Sequence, residues 1–233
     1  MTEIPVAILA GGRATRLGAL TADRPKALME VAGRPFIDHQ LELLRRNGTR
    51  NVVLCIGYLG QQIEEHVGDG SQFGLTVSYV YDGPVLQGTA GAIRDASAML
   101  GETCWVLYGD SYLEFDYYAV SEHFASRAEP ALMTVFRNEG RWDTSNLAFD
   151  GERVTRYDKR APDQSMNFID YGAALLRRSA IERIPRSGAA DLADLYTELA
   201  RERSLAGYEI SQRFYEIGSV SGLAELDEHL RNG

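Results

Sequence analysis

Glycine and positive charge crowd into one short stretch of this chain, Leu9-Ala10-Gly11-Gly12-Arg13-Ala14-Thr15-Arg16-Leu17-Gly18, with Arg24-Pro25-Lys26 close behind. Glycines directly after an apolar run let backbone amides approach a phosphate closely, and successive N–H groups can form a nest for an anion. Arginine and lysine add charge that a flexible polyphosphate meets at several oxygens. The spelling is neither the Gly-x-x-x-x-Gly-Lys-Ser/Thr of the P-loop nor the Gly-x-Gly-x-x-Gly of dinucleotide binders. A plain glycine-rich connection with solvated arginines is the bland alternative, and the density of cations speaks for an anionic ligand instead.

The rest of the chain is acidic. Its 233 residues hold 24 Lys and Arg against 33 Asp and Glu, a formal net charge of -9. A surface of that sign repels nucleic acid and anionic membranes, so neither is an expected partner. With 45% hydrophobic and 24% charged residues the composition is globular, and a chain of this length can bury a sizeable core as one domain, here taken as residues 1–233. Cys55 and Cys104 lie in the apolar runs VVLCIG and TCWVLYG and read as small buried strand residues rather than reactive thiols. The first residues carry no basic segment followed by an apolar one, and clean apolar stretches reach only about five residues. A cytoplasmic protein is expected.

Hydrophobic patterning supplies the frame for the candidate residues. Residues 5–10 read as a buried strand ending at Gly11-Gly12, 36–47 as a helix closed by Asn47-Gly48, and 51–56 as a second strand. A short helix near 61–67, a strand at 75–81, a helix at 89–100 and a strand at 104–108 follow. This alternation predicts an α/β fold with a mostly parallel sheet and helices on both faces. From about residue 131 strand-like segments dominate (ALMTVFR, NLAFD, RVTRYD, MNFIDYGAALL), before helices at 189–201 and 219–230. Sheets of this kind bind ligands outside the carboxyl ends of their strands, where strand order reverses. That rule selects the loops after Ala10 and after Tyr108.

The spelling resembles the nucleotidyltransferase family that makes sugar nucleotides, whose signature is a Gly-Gly-x-x-Thr-Arg loop followed by a Pro-Lys pair, here Gly11, Gly12, Thr15, Arg16, Pro25 and Lys26. Gly33-Arg34-Pro35, Gly57-Tyr58, Gly88-Thr89-Ala90-Gly91-Ala92, Tyr108-Gly109-Asp110 and Tyr215-Glu216-Ile217-Gly218 fall in the order of that family, so the likeness covers nearly the whole chain. The resemblance implies a Rossmann-like, GT-A-like mixed sheet and a nucleotide-binding half over 1–110 with a sugar-phosphate half over 111–233. It also implies a nucleoside triphosphate and a sugar 1-phosphate as substrates, and Mg²⁺ as cofactor with Mn²⁺ as a substitute. It allows a homo-oligomer and a role in supplying sugars for cell-surface polysaccharide. Short members include heptose 1-phosphate guanylyltransferases and N-acetylmuramate 1-phosphate uridylyltransferases, and Tyr-Gly-Asp-Ser-Tyr-Leu leans towards the former.

Site residues follow from the same resemblance. Leu9, Ala10, Gly11, Gly12, Arg13 and Thr15 would wrap the triphosphate, Arg16 and Lys26 would act on the reacting phosphates, and Gln87, Gly88 and Thr89 would wall the base. Asp110 matches a metal-binding aspartate; its bland alternative is a turn or cap residue. Glu216 stands where the family commonly has a second such aspartate, in an Asp-Ile-Gly setting that reads Glu-Ile-Gly here, and a longer carboxylate can still reach magnesium. Asp158-Lys159 resembles a Glu-Lys pair that holds sugar hydroxyls and the sugar phosphate, with Arg160 replacing the family's proline. Asn146, Asp170 and Gly172 fall at strand ends where the family contacts sugar, although ordinary turn formers would look the same. His39, His66, His123 and His229 lie in polar helical contexts and read as surface residues. The leading expectation is a heptose or hexose 1-phosphate guanylyltransferase. The alternatives are a uridylyl-, cytidylyl- or thymidylyltransferase of the same family, or a non-catalytic nucleotide-sugar-binding regulator.

Overall fold

The apolar run before Gly11 forms β1 (Val6–Leu9), an inner strand of a nine-stranded sheet. Its side chains alternate, with Val6 and Ile8 in the core on one face and Ala7 in the core on the other, as a strand buried on both sides requires. The computed structural model describes residues 3–12, 23–83, 85–138, 140–142 and 144–232. In chain order the further strands are β2 (Glu30–Val31), β3 (Arg34–Pro35), β4 (Asn51–Ile56), β5 (Thr76–Tyr81), β6 (Thr103–Tyr108), β7 (Ser111–Tyr112), β8 (Ala131–Arg137), β9 (Leu147–Phe149), β10 (Val154–Tyr157), β11 (Phe168–Arg177), β12 (Leu205–Ile210) and β13 (Tyr215–Glu216). The helices are α1 (Phe36–Arg46), α2 (Gly60–Val67), α3 (Gly88–Ala96), α4 (Tyr117–Ala125), α5 (Arg178–Ile181), α6 (Leu192–Arg201) and α7 (Val220–Asn232).

Strand order is β10-β9-β11-β6-β1-β4-β5, with β8 added on β11 and β12 on β8. The β6-β1-β4-β5 portion is parallel throughout, while β11 runs antiparallel to β6, β8 and β9. The α/β sheet with helices on both faces is therefore as expected, and its second half is mixed. α1, α2 and α4 cover one face and α3, α5 and α6 the other. In α1 the residues Ile37, Leu41 and Leu44 are wholly buried, each contributing roughly 1.5–3 kcal/mol of apolar burial. A third cluster, Val31, Phe36, Leu43, Tyr112, Ile217 and Leu226, seats α7 beside the β7–β13 pair.

α4 and β12 are among the elements that escape the sequence patterning. Tyr117, Tyr118 and Phe124 give α4 a strand-like aromatic content, and the helix is set instead by Asp116, whose carboxylate accepts from the Ala119 N–H at 2.9 Å. β12 pairs in parallel with β8 across six residues, a long-range partnership that no local periodicity announces. The histidines are partly exposed, and each also meets a neighbour. His39 Nε2 donates to the Val31 carbonyl at 2.8 Å, and His66 and His229 contact Asp38 and Glu114 at 2.7 Å. His123 packs edge-on against Tyr208. They tie helices to neighbouring segments. No helix among the described residues is long and apolar enough to cross a membrane.

Candidate active site

β1 and β6 lie side by side and end together, Leu9 opposite Tyr108. Gly109 makes this possible: a Cβ there would sit 2.6 Å from the Leu9 carbonyl oxygen, so no larger residue fits where the two strand ends converge. Beyond them opens a cavity of about 240 Å³ lined by Leu9, Ala10, Gly11, Gly12, Lys26 and Ala27 and, opposite, by Asp82, Leu86, Gly88, Thr89, Tyr108 and Asp110 among others. Most of its wall is apolar. Cys55, at its floor, and Cys104 are free and buried, and burial pushes both thiols up to about 12.

Lys26 follows the Pro25 that starts a short 3-10 turn, and its Nζ donates to Asp110 Oδ2 at 2.8 Å. One of three ammonium donors is thereby used. The turn that carries Asp110 is held from below by Gln40, a 2% exposed residue of α1. Its Nε2 donates to the carbonyls of Tyr108 (3.1 Å) and Ser111 (3.0 Å), one on each side of Asp110. In the helix expected over 36–47, Gln40 is a polar residue among the buried Ile37, Leu41 and Leu44, and that was the available signal.

A second, wider cleft of about 920 Å³ adjoins the first, and Tyr108 and Asp110 line both. Its wall includes Asn146, Lys159, Asp170 and Gly172, together with Trp142, Arg213, Tyr215 and Glu216. Asp170, with a side chain only 5% exposed, is the anchor. Its Oδ2 accepts from the hydroxyls of Tyr108 (3.3 Å) and Tyr157 (3.2 Å) and pairs with Lys159 Nζ at 3.5 Å, while Oδ1 accepts from the Gly172 N–H at 3.1 Å. Burial first, and then the Asp170 charge, push both phenols well above their usual range, so they remain donors. Asn146 Oδ1 accepts from the Asp170 N–H at 3.1 Å, and Gly172, with φ +106°, sits in the bulge where β11 changes register against β8. Lys159 also lies over the rings of Tyr108 and Tyr157.

Three other calls land differently. Asp158 does not line the cleft among the described residues: its Oδ1 accepts from the backbone N–H of Arg160 (2.9 Å) and Ala161 (2.8 Å), an Asx-type turn that engages the carboxylate locally. Gln87 caps nothing and does not line the first cavity; its Nε2 donates to Val85 O at 2.8 Å and its Oε1 accepts from Arg94 at 3.1 Å. Thr89 lines the cavity, but its hydroxyl donates to Asp191 (2.9 Å) and accepts from the Leu192 N–H (2.8 Å), joining α3 to the start of α6. Gly88 is needed there, since its φ is +73° and a Cβ would meet Ala190 O at 2.4 Å. Arg13, Thr15 and Arg16 lie outside the described residues.

Glu216 stands near Asp110 because β13 pairs with β7: Glu216 is opposite Ser111, and the Ile217 N–H donates to the Asp110 carbonyl at 2.9 Å. Its carboxylate accepts from the Gly218 N–H (2.6 Å) and the Ser219 hydroxyl (3.0 Å). Among the described residues no third acidic, histidine or cysteine side chain completes a metal-binding group. Two carboxylates nonetheless suit a cation such as Mg²⁺, which keeps several waters and takes phosphate oxygens alongside one or two protein ligands. The cleft also holds Trp142 and Arg213, which no motif marked: the Arg213 guanidinium lies 3.9 Å from the Trp142 ring and 4.9 Å from that of Tyr215, and it pairs with Glu225.

Residues 6–230 match the family model described as Nucleotidyl transferase. The chain is 30% identical over 186 residues to a mannose-1-phosphate guanylyltransferase of Mycobacterium tuberculosis, covering 79% of this chain but only 52% of that protein. It therefore spans about half the length of that relative. An N-acetylmuramate alpha-1-phosphate uridylyltransferase of Neisseria meningitidis is 28% identical, with 94% of each chain covered. In fold it is similar to HddC from Yersinia pseudotuberculosis complexed with GMP-PN, with a TM-score of 0.79 at 22% identity over 97% of this chain and 99% of that one. With the family model matched almost from end to end, the chain belongs to the nucleotidyl transferase family.

Proposed function

We propose that this protein transfers a nucleotidyl group from a nucleoside triphosphate to a sugar 1-phosphate, releasing pyrophosphate. The observation that carries the reading is the shared wall: Tyr108 and Asp110 line both cavities, with the Lys26 ammonium fastened to Asp110. A phosphate in one cavity and a phosphate in the other would meet at that turn. The sugar phosphate, already ionised, attacks the α-phosphorus; the new P–O bond forms as the bond to the β-phosphate oxygen breaks, and pyrophosphate leaves. The obstacle is repulsion between like charges. Lys26, and by the sequence resemblance Arg13 and Arg16, would offset it as preorganised cations.

Asp110 and Glu216 are the residues that would hold Mg²⁺ or Mn²⁺, and the cation would supply further neutralisation of the phosphate oxygens. Lys159, fixed over Tyr108 and against Asp170, would meet the sugar phosphate, and Asn146, Asp170 and Gly172 would shape the sugar end. The names of the relatives agree with this chemistry while differing in nucleotide and sugar. The test is a matrix of nucleoside triphosphates against sugar 1-phosphates with magnesium present, read by pyrophosphate release. Turnover for one pair, abolished by excess chelator, is expected. Nucleotide binding without pyrophosphate release for any pair would overturn the assignment in favour of a binding protein.

A further inference from the structure

The wall of the first cavity at Gly88 and Thr89 is fastened to the segment that starts α6. The Ala190 N–H donates to the Gln87 carbonyl at 2.8 Å, and the Ala190 carbonyl accepts from the N–H groups of Ala90 (2.9 Å) and Gly91 (3.2 Å). Side chains close the joint. The Asp191 carboxylate accepts from the Thr89 hydroxyl and from the Ala193 N–H, each at 2.9 Å, while Thr89 Oγ1 accepts from the Leu192 N–H at 2.8 Å. Asp191 thus caps α6 and latches it to a residue that lines the cavity.

The same helix seats the second cleft. Tyr196, a buried residue, meets Tyr157 edge-on with ring centroids 5.7 Å apart, and the Thr197 hydroxyl shares its proton between the carbonyls of Ala193 (2.7 Å) and Tyr157 (3.1 Å). Tyr157 in turn donates to Asp170 and lies under Lys159. The ladder gives this region little support: β10 stands at one end of the strand order, and β9 joins β11 at its first residue, where Leu147 is opposite Phe168. Packing against α6 therefore helps decide where Tyr157, and Lys159 two residues on, come to rest.

We propose that Asp191 is a positioning residue that couples the two substrates. A nucleotide resting on Gly88 and Thr89 favours the latched joint; the latch holds α6, and α6 holds Tyr157, Asp170 and Lys159 in the arrangement that receives a sugar 1-phosphate. Coupling of this kind is reciprocal, so each ligand tightens the other. The two arrangements differ in whether the side-chain joint at the start of α6 is made, and a ligand shifts them only through its preference for one. Asp191 is exposed to solvent, so the joint belongs to the parts of a fold that open at low cost. The inference rests on the nucleotide and sugar-phosphate reading of the two cavities and adds the link between them.

Calorimetry on the full chain, in magnesium, tests it with an α,β-methylene triphosphate, which cannot release pyrophosphate. The analogue carries the base that the pyrophosphate assay selects, and its partner is the sugar 1-phosphate selected with it. Sugar 1-phosphate affinity is measured with and without saturating analogue, and the ratio of the two is the coupling. Repulsion between the phosphates of the two ligands enters wild type and variants alike, so the change in that ratio reads the latch. Asp191→Ala should lower the ratio about fivefold or more, the lower end of ordinary coupling between sites, with affinity for the analogue alone kept within about threefold. Asp191→Asn, which retains an acceptor oxygen for both donors, should restore most of it. Thr197→Val, which lines neither cavity, should lower the ratio in the same sense and carries the test if Asp191→Ala melts near the assay temperature. An unchanged ratio, with sugar-phosphate affinity lost equally with and without the analogue or not at all, would overturn the coupling while leaving both sites standing. Failure of either ligand to bind the wild-type protein would instead overturn the reading of the cavities.

Discussion

The cavity at the ends of β1 and β6 is smaller and has a mostly apolar wall with several glycines and alanines, whereas the adjoining cleft is nearly four times as large and walled by more polar and aromatic side chains. In the first, glycine and strand geometry decide the shape, so few side chains are free to vary. In the second, a buried carboxylate at Asp170 organises two tyrosines, a lysine and a glycine amide. The common part of a nucleotide, its phosphates, can be met by backbone and a lysine; a sugar, which varies in size and substituents, calls for side chains. If the cavities divide the substrates in this way, substitutions should separate them.

The largest effect belongs to the wall they share. Lys26→Ala should lower turnover by about a hundredfold or more, the scale of one preorganised electrostatic contact, with the melting temperature little changed. Asp110→Asn should raise the magnesium concentration needed for half-maximal rate, because a hard cation loses a charged oxygen ligand. Near-normal turnover in Lys26→Ala, measured by pyrophosphate release, would mean that the wall is not where the phosphates meet.

Next comes Lys159→Ala, which tests the cleft alone. Loss of a charge-assisted hydrogen bond to a phosphate should weaken sugar 1-phosphate binding about ten- to a hundredfold while nucleotide affinity stays within about twofold. Calorimetry with each substrate separately reads both numbers. Equal losses for the two would erase the division.

A smaller and more indirect effect is expected from Gln40→Met. The substitution removes both bonds to the turn that carries Asp110 and leaves two carbonyls without that donor, a cost of about 1–3 kcal/mol in stability. Because Gln40 lines neither cavity and acts through the wall residues Tyr108 and Ser111, its role is positioning: kcat should fall roughly tenfold, as a slight misplacement of reacting groups does, while KM for the nucleotide holds. A parallel fall in both substrate affinities with kcat unchanged would show a purely structural role.

How much of this was legible in the residues follows the same division. Gly11, Gly12, Lys26 and Asp110 lie within or beside short glycine-marked segments, and their types announce phosphate and metal chemistry at strand ends; the fold follows from alternating apolar runs. Trp142 meets Arg213 from a distant segment of the chain, so no spacing connects the two. Gln40 and Asp82 were hidden for a different reason: a single polar residue on a helix face or after a strand carries no pattern. Gln87 and Asp158 were misleading because their neighbours in sequence do line cavities, and local backbone bonding turned each side chain elsewhere.

Asp158 supplies the smallest effect and the closest control, because it adjoins Lys159. Its carboxylate accepts from the Ala161 and Arg160 amides, and those backbone bonds, Ala161 first, hold it below the usual aspartate range. If the turn is its whole task, Asp158→Ala should change sugar 1-phosphate affinity by no more than about two- to threefold, the range of a surface substitution, against the far larger loss in Lys159→Ala. Its signature should lie in stability instead. A carboxyl whose folded pKa is depressed stabilises the fold above its unfolded pKa of about 3.9 and loses that contribution as pH falls through the folded value. The melting temperature of Asp158→Ala should therefore lie below that of the wild-type protein at neutral pH, and the gap should narrow as the pH is taken below about 4. The opposite pattern, a gap that persists into acid together with a sugar-phosphate affinity as low as that of Lys159→Ala, would place Asp158 in the sugar cleft after all and make the local turn incidental.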